Sequence, residues 1–415
     1  MDRVNGLWLG VAGAALVVVL AVRASHAPPR IQTDDGIQRI AQGLVPAVER
    51  AVGLTFKRPP RVQARSREQV RAYLDHKIAA DYPPAEIDAV QRAYRAFGLI
   101  SDTTDLRSMM VNLYAEQVAG FYEPDSSALF VVRGSDPTMV RLVLAHELVH
   151  ALQDQYTHLN AILRLHRRND RQMAGQAVME GQATVSSFAA LAPGGQPPDF
   201  ERVWASVRSS LRDQQESQPV FAAAPHFLQE SLLFPYLAGG EFIQQFDATR
   251  LRGTEEPWNE RLPVSTEQIL HLSKYSTHER PSAIAIARTA RDTVIYDDDF
   301  GEFESRTTLE SWGVPSDVAI AAAAGWNGDR YVLLGTRAGT AVVWASAWDT
   351  PQDADEFAAA ARQGWERTAQ GRAGAADRRW QVDVMTMGRV KVVRFVDAPK
   401  AWTGWAHLPA VRLGR

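Results

Sequence analysis

The segment Leu142–Leu152 reads LVLAHELVHAL, and only His146, Glu147 and His150 within it are polar. A helix that is apolar on every other side is typical of a protein interior. Burying two imidazoles and a carboxylate there costs free energy unless something pairs with them, and a divalent metal ion would offset that cost. Residues four apart share a helix face, so His146 and His150 can ligate one ion, with Glu147 beside them as a base toward water.

A catalytic zinc ion usually has three protein ligands and one open position. The longer form of this motif places a Gly and a third His after the second His, but Gln153 and Tyr156 stand there. Asp154 shares the helix face, yet side chains stacked at four-residue steps of about 1.5 Å per residue do not converge well. Glu180 is the better candidate, because it is a lone carboxylate in a small-residue, helix-like stretch from about Arg171 to Leu191.

The predicted metal ligands are therefore His146, His150 and Glu180 around Zn²⁺, with water in the fourth position. Two His from one helix and a Glu from the next is the gluzincin arrangement. Gly181 would permit close helix approach at this point. In the best-known form of this arrangement an Asp four residues after the Glu orients a ligating His. Thr184 stands there instead and would be a weaker acceptor.

Four segments carry a resemblance: "GFYEPDSSALFVV", "LAHELVHALQDQ", "MEGQAT" and "STEQILHLSKY". In this order they resemble a group of bacterial zinc-metallopeptidase-like proteins, many of which have an N-terminal membrane segment. The resemblance covers roughly Val111 to Pro281, with a weaker match in "GWNGDRYVLL…WDT". It implies a gluzincin-type site and no particular substrate. The chain departs from the group at Gln182, where an acidic residue is usual.

The segment from Arg261 to Arg280 supplies candidates for stabilising the oxyanion of a tetrahedral intermediate. Zinc peptidases often use a His or a Tyr for this purpose. His271 is the first candidate, followed by Tyr275, His278 and Tyr236. The alternative for His271 is a structural, hydrogen-bonded role.

The residues from Val4 to Val22 carry no charge. Nineteen helical residues span roughly 28 Å, close to the thickness of a bilayer core. Two interpretations stay open: an uncleaved transmembrane anchor, or a secretory signal cut near Ala24 or Ala27. The flanking charges indicate no orientation. The anchor is preferred, with the catalytic domain outside the cytoplasm, in the periplasm or at the cell surface; a cleaved segment would give a secreted protein.

Composition excludes some classes. The chain has 415 residues, a net charge of −3 and no long basic run, which argues against a nucleic acid partner. It has no cysteine, which excludes disulfides and thiolate zinc ligands. At this length two domains and a sizeable core are expected. The sequence does not indicate an oligomeric state.

The order of elements predicts an α+β fold in three parts: an N-terminal transmembrane or signal segment at 1–30, a mostly helical zincin-like domain at 31–290 with a small β-hairpin, and an α+β accessory domain at 300–415. Helices are predicted over Ile37–Val52, Arg67–Ala80, Ala85–Phe97, Leu106–Ala119, a stretch starting near Asp136-Pro137, Arg171–Leu191, Thr307–Ala324 and Ala354–Thr368. Strands are predicted around the turn at 123–127 and over Tyr331–Leu334, Ala341–Trp348, Gln381–Met387 and Lys391–Phe395.

Eight of the eleven Trp lie after residue 300. They favour the core of a small domain over an exposed sugar-binding platform. The acidic run from Asp297 to Asp299 is expected to be solvated. Because this part holds no metal-ligand cluster, we expect it to do no chemistry and either to support the cleft or to bind a partner.

The chain is thus predicted to be a membrane-anchored zinc metallohydrolase, and more specifically a peptidase that acts on a peptide or protein. Glu147 would be its general base and His271 a second catalytic residue. One alternative keeps the zinc in a non-proteolytic envelope binding or interaction protein. Another is a metal-free interaction protein that uses the aromatic C-terminal domain. The presence of Glu147 favours the enzyme, because a structural zinc site does not need that carboxylate.

Overall fold

The computed structural model describes residues 14–15 and 34–414, except 135–136, 164, 166, 194–198, 201, 205–217, 250–255, 288–290 and 373. It is an α+β structure, built from a helical N-terminal part with a small sheet and a C-terminal part with a larger sheet.

Four helices precede the His146/His150 segment among the described residues, and local capping explains where two of them begin. Helix α2 begins after Ser66, whose hydroxyl accepts a hydrogen bond from the backbone N–H of Gln69 in a capping box. Helix α4 begins after Asp105, whose carboxylate accepts from the backbone N–H of Ser108. The helices are α1 (Asp34–Val52), α2 (Arg67–Asp81), α3 (Pro84–Ala96) and α4 (Leu106–Gln117). Each lies within a few residues of its predicted position.

The predicted hairpin is present as β3 (Gly120–Glu123) and β4 (Ala128–Val132). Two strands that the sequence did not predict complete this sheet: β1 (Ala14–Ala15) beside β3, and β2 (Arg61–Arg65), which runs parallel to β4. The order is β1-β3-β4-β2.

The predicted transmembrane helix is wrong. Within Val4–Val22 the structure describes Ala14 and Ala15 alone, and they form a strand antiparallel to Gly120–Phe121. A continuous helix over this stretch would have no free backbone groups to offer a strand neighbour. Among the residues that the structure describes, no helix is both long and apolar enough to cross a membrane. The rest of 1–33 lies outside the described residues, and the predicted extracytoplasmic location is untested.

Three helices form the centre of the helical part. They are α5 (Pro137–Gln153), α7 (Asn169–Leu191) and α9 (His226–Thr249); the short helices α6 (Leu159–Leu163) and α8 (Pro219–Ala223) lie between them in sequence. Helices α7 and α9 are in direct backbone contact at Gly181 and Gly239. The contact is so close that a Cβ on Gly181 would overlap the carbonyl of Gly239. The close approach expected from Gly181 is therefore present, and α9 is the partner that the sequence did not identify.

Two short helices, α10 (Thr266–Leu270) and α11 (Leu272–Ser276), lead into the C-terminal part. This part contains β5 (Ile284–Ile286), β6 (Thr293–Asp298), α12 (Gly301–Ser311), α13 (Ser316–Ala323), β7 (Trp326–Thr336), β8 (Gly339–Trp348), α14 (Pro351–Gln370), β9 (Arg378–Met387), β10 (Val390–Pro399) and β11 (Val411–Leu413). Five antiparallel strands form one sheet in the order β6-β7-β8-β10-β9, and β5 pairs with β11. The single long helix α14 packs on this sheet, as the sequence predicted.

The C-terminal Trp residues fill a core, as expected. Five of them are at most 2% exposed: Trp312, Trp326, Trp344, Trp348 and Trp365. The helical part contributes Phe97, whose ring lies 5.0 Å from Phe300 and 5.9 Å from Trp344, while its carbonyl accepts from the Trp312 indole at 2.7 Å. The division near residue 300 stays a prediction, but α3 and the sheet share one aromatic core.

The expectation of a solvated acidic run at Asp297–Asp299 is wrong. Asp298 is 2% exposed. Its carboxylate accepts from the backbone of Asn169 at 3.2 Å, and Asp299 accepts from the backbone of Asp170 at 2.8 Å. These N–H groups belong to the first turn of α7. The N–H groups of a first turn have no hydrogen-bond acceptor within their own helix. Two carboxylates of the C-terminal part therefore cap the helix that carries Glu180.

Candidate metal centre

The three predicted ligands lie together. His146 Nε2 is 3.1 Å from Glu180 Oε2, His150 Nε2 is 3.3 Å from the same oxygen, and the two nitrogens are 3.1 Å apart. Atoms that ligate one zinc ion tetrahedrally at 2.0–2.2 Å lie about 3.3–3.6 Å from one another. Helix α5 supplies both imidazoles from successive turns and α7 supplies the carboxylate, so the arrangement has the spacing that a small divalent ion requires.

A chain of side-chain amides fixes the ring orientation of His150. Gln182 donates to the carboxylate of Glu256 at 2.8 Å, which leaves its carbonyl to accept from Gln153 at 2.9 Å. Gln153 also donates to the Met179 carbonyl at 3.0 Å. Its own carbonyl oxygen then accepts from His150 Nδ1 at 2.8 Å.

The direction of this chain follows from Glu256, because an ionised carboxylate only accepts hydrogen bonds. Each amide must therefore present its oxygen toward the next donor, and His150 must carry a proton on Nδ1. In neutral His150 the lone pair of Nε2 then points at Glu180, which is the tautomer that a metal ligand needs.

The charges of the ligands are strongly coupled. Burial alone would raise the pKa of Glu180, but His150 and His146 lower it to about 2. Burial would lower the pKa of His150, yet the Glu180 carboxylate raises it to about 9. The pKa of His146 is lowered by burial. Without a metal ion the cluster thus holds a proton on His150, at the place where a cation would lie.

Glu147 is fully buried, and its carboxylate oxygens accept no hydrogen bond from a side chain among the described residues. Burial raises its pKa to about 8, while the charge of His150 lowers that pKa. The backbone of Tyr122 also lies close enough to lower the pKa of Glu147. A buried carboxylate with so few hydrogen bonds costs stability.

Two tyrosines lie near the ligands. The ring of Tyr236, on α9, lies 6.1 Å from the ring of His146 and nearly parallel to it. Tyr114, on α4, is buried, and burial together with the Glu180 charge raises its pKa. Tyr236 was the last of the oxyanion candidates from the sequence, whereas Tyr114 was not considered. The only feature of the sequence that could have pointed to Tyr114 is its position on the helix before the hairpin.

His271 takes part in a different contact. Its Nε2 lies 2.8 Å from a carboxylate oxygen of Glu302, which raises the pKa of His271. No contact among the described residues joins it to the ligand cluster, so its catalytic role stays a prediction. Tyr275 donates to the Arg261 carbonyl at 3.0 Å, and His278 is exposed.

Thr184 and Asp154, which could have oriented a ligand imidazole, make other hydrogen bonds. Thr184 donates to the Glu180 backbone carbonyl at 2.8 Å rather than accepting from an imidazole. Asp154 accepts from the Tyr122 hydroxyl at 2.9 Å. Gln153, and not Thr184, accepts a hydrogen bond from a ligand imidazole. In the sequence, Gln153 served only to exclude the longer form of the motif. Its signal was its position three residues after His150, on a neighbouring face of the same helix.

A second group of acidic side chains has similar spacing. Glu267, Glu279 and Asp349 bring carboxylate oxygens within 4.8 Å of one another. The ammonium of Lys274 lies among them, at 3.1, 2.6 and 2.5 Å from the three groups in that order. A cation is already present there, so this group is an ion-pair cluster and not a metal site.

Comparison with known proteins adds little to this geometry. Residues 289–405 match a family model described as a domain of unknown function (DUF8575). This stretch comprises most of the C-terminal part and does not include the ligand cluster. No curated protein and no solved structure matches the chain. The candidate centre therefore has to be interpreted from its own geometry.

Proposed function

We propose that this chain is a zinc-dependent hydrolase, and specifically a peptidase. One observation carries the proposal: His146 Nε2, His150 Nε2 and Glu180 Oε2 converge at 3.1–3.3 Å, with the buried Glu147 carboxylate next to His146 in sequence. Two imidazoles and one carboxylate are a donor set that suits zinc and leaves a coordination position open.

The residues fit the ion chemically as well as geometrically. The Gln153 amide holds His150 in the tautomer that ligates through Nε2. When bound, zinc would supply Lewis-acid chemistry, polarising a substrate carbonyl and lowering the pKa of water. No Lys or Arg side chain contacts the three ligand atoms among the described residues, so a metal ion would have to displace only the proton of His150.

Glu147 would be the general base. It would take one proton from a water molecule as the water oxygen forms a bond to the peptide carbonyl carbon. It would then give that proton to the nitrogen of the leaving amine as the C–N bond breaks. Its pKa of about 8 suits a group that must both accept and donate near neutral pH.

Tyr236 is the best-placed candidate for stabilising the developing oxyanion, because its ring lies beside His146. His271 remains a second candidate from the sequence, held by Glu302.

The test combines metal analysis with an assay on mixed peptides. The purified chain should contain one zinc per molecule and cleave peptides, and chelation should stop cleavage. Glu147→Gln should keep the zinc while losing at least about 100-fold in turnover, since general base catalysis contributes about 10²–10⁴. A metal-free protein would contradict the zinc centre. Zinc without cleavage of any peptide, or full turnover in Glu147→Gln, would contradict the peptidase.

A further inference from the structure

A cavity of about 620 Å³ lies beside the first turn of α7, the helix that carries Glu180 further along its length. The first turn of α7, the segment 280–284 and the start of β7 form its walls. Five arginines line it: Arg167, Arg168, Arg171, Arg280 and Arg330. Such a concentration of guanidinium groups in a concave site is typical of anion recognition.

Two of the five arginines are already paired. Arg167 and Arg330 both contact the carboxylate of Asp297, at 2.8 and 2.5 Å. For Arg168, Arg171 and Arg280, no acidic partner exists among the described residues. The Nε atom of Arg171 is buried and has no hydrogen-bond partner there. Three guanidinium groups without an acidic partner therefore line the cavity; Arg168 and Arg280 are exposed, and Arg171 has a buried Nε donor that is not used.

These three groups repel one another. Burial lowers the pKa of Arg171, and the charges of Arg168 and Arg280 lower it further. Arginine does not lose its proton in proteins, so the three positive charges remain together at the empty cavity, where water screens part of their repulsion. A bound anion would offset the rest of that repulsion.

The carboxylates in the cavity wall do not supply that anion. Asp329 accepts from the backbone of Phe300 and Gly301 and from the Trp344 indole at 2.9 Å. Burial raises the pKa of Asp170 to about 7 and raises that of Asp299 well above its usual range. Their oxygens are committed to these internal hydrogen bonds or to a proton.

We propose that this cavity binds a small, multiply charged oxyanion, a polyphosphate or a polycarboxylate, through Arg168, Arg171 and Arg280. The backbone N–H groups of Asn169 and Asp170 are occupied by Asp298 and Asp299, so the arginine side chains supply the donors. The proposal is independent of the zinc-hydrolase function. It would place a ligand nine residues, or about 14 Å along α7, from the metal ligand Glu180.

Isothermal titration of the full chain with pyrophosphate, and separately with citrate, at constant ionic strength tests the site. Saturable 1:1 binding is expected for one or both anions, and the one that binds identifies phosphate or carboxylate chemistry. Arg171→Gln and Arg280→Gln should each weaken binding about 10-fold, the effect of one charge-assisted hydrogen bond.

Arg202→Gln is the matched control, because Arg202 is highly exposed and lies near Asp199 outside the cavity. It should bind like the unmodified chain. All variants keep the ligand cluster, so heat from chelation of zinc by the anions is common to all of them. Arg280 is exposed, so its substitution gives a readout even if Arg171→Gln destabilises the fold. Absence of saturable binding, or equal affinity in the double variant Arg171→Gln/Arg280→Gln, would overturn the proposal.

Discussion

The two three-residue clusters each bring their potential ligand atoms within 4.8 Å of one another, but they differ in what lies between those atoms. In one, His146, His150 and Glu180 converge with no lysine or arginine between them among the described residues. In the other, Glu267, Glu279 and Asp349 surround the ammonium of Lys274. Converging acidic groups therefore indicate a metal site only when no lysine or arginine already lies between them.

The protonation of the two clusters also differs. Burial raises the pKa of Glu267 to about 8 in spite of Lys274, whereas burial is overcome at Glu180, whose pKa is about 2. The pKa of Lys274 itself is raised by Asp349, Glu279 and Glu267 together. We conclude that Glu279 and Asp349 provide most of the negative charge that offsets the ammonium of Lys274. Glu180, in contrast, is kept ionised by its imidazole neighbours.

Loss of a ligand should give the largest difference between the clusters. Glu180→Ala removes a charged zinc ligand, so we expect loss of stoichiometric zinc and a fall in affinity of more than about 100-fold. Glu279→Gln removes a group of the same charge from the lysine cluster and should leave the zinc content unchanged. Elemental analysis of both purified variants measures this. Equal zinc in the two would show that the ion, if present, binds elsewhere.

Replacement of the lysine should be the next largest effect. Lys274→Met leaves three carboxylates facing one another, so we expect a loss of about 3 kcal/mol in the free energy of unfolding. The value is at the low end for a buried ion pair because Lys274 is about one-fifth exposed. Urea unfolding measures it, with Lys57→Met as a control at an exposed lysine. An unchanged stability would mean that the lysine cluster does not contribute to folding.

Truncation of the amide that orients His150 should have a moderate effect. Gln153→Ala removes the acceptor of the Nδ1 proton, and we expect zinc affinity to fall about 10–100-fold with the fold retained. Competition with a chromophoric chelator measures it. Gln155→Ala changes an amide two residues away that contacts only the 57–58 segment, and it should have no effect. If the two variants bind zinc equally, the amide chain does not support the centre.

The pH dependence should be the most gradual effect. The pKa of His150 is raised to about 9, so the metal-free cluster holds a proton that zinc must displace. Zinc affinity should therefore rise with pH, by up to about tenfold per pH unit below pH 9, and level off above it. Glu267→Gln removes the group of the lysine cluster that titrates near pH 8 and should leave this slope unchanged. An affinity that does not vary between pH 6 and 9 would contradict the coupling of His150 to Glu180.

Local patterns predicted most helices correctly, and they predicted a ligand set whose three side chains lie together in the structure. The His146/His150 spacing and the lone carboxylate in a small-residue helix depend on helix geometry alone, which the sequence displays directly. Predicted helix ends near Ser66, Pro84 and Pro137 likewise depend on nearby residues.

Long-range pairing could not be predicted in the same way. Gln153, Gln182 and Glu256 become a chain only after three separate segments pack together. Asp298 and Asp299 look solvated in sequence, because their partners are backbone N–H groups about 130 residues away. The apolar stretch Val4–Val22 matches a bilayer span in composition, and only tertiary pairing of Ala14–Ala15 with β3 contradicts a helix there.

The double anchoring of α7 has a consequence for insertions and deletions. Asp298 and Asp299 fix its first turn, and Gly181 is locked against Gly239. A residue inserted or deleted between these two points would rotate everything after it by about 100° and shift it by about 1.5 Å. With the first turn held in place, Glu180 would then leave the imidazoles and Gly181 would leave Gly239. The length of the helix from Asp170 to Glu180 is therefore as strict a requirement as the identity of the ligand, and related chains that keep this centre should vary in residue type there but not in residue number.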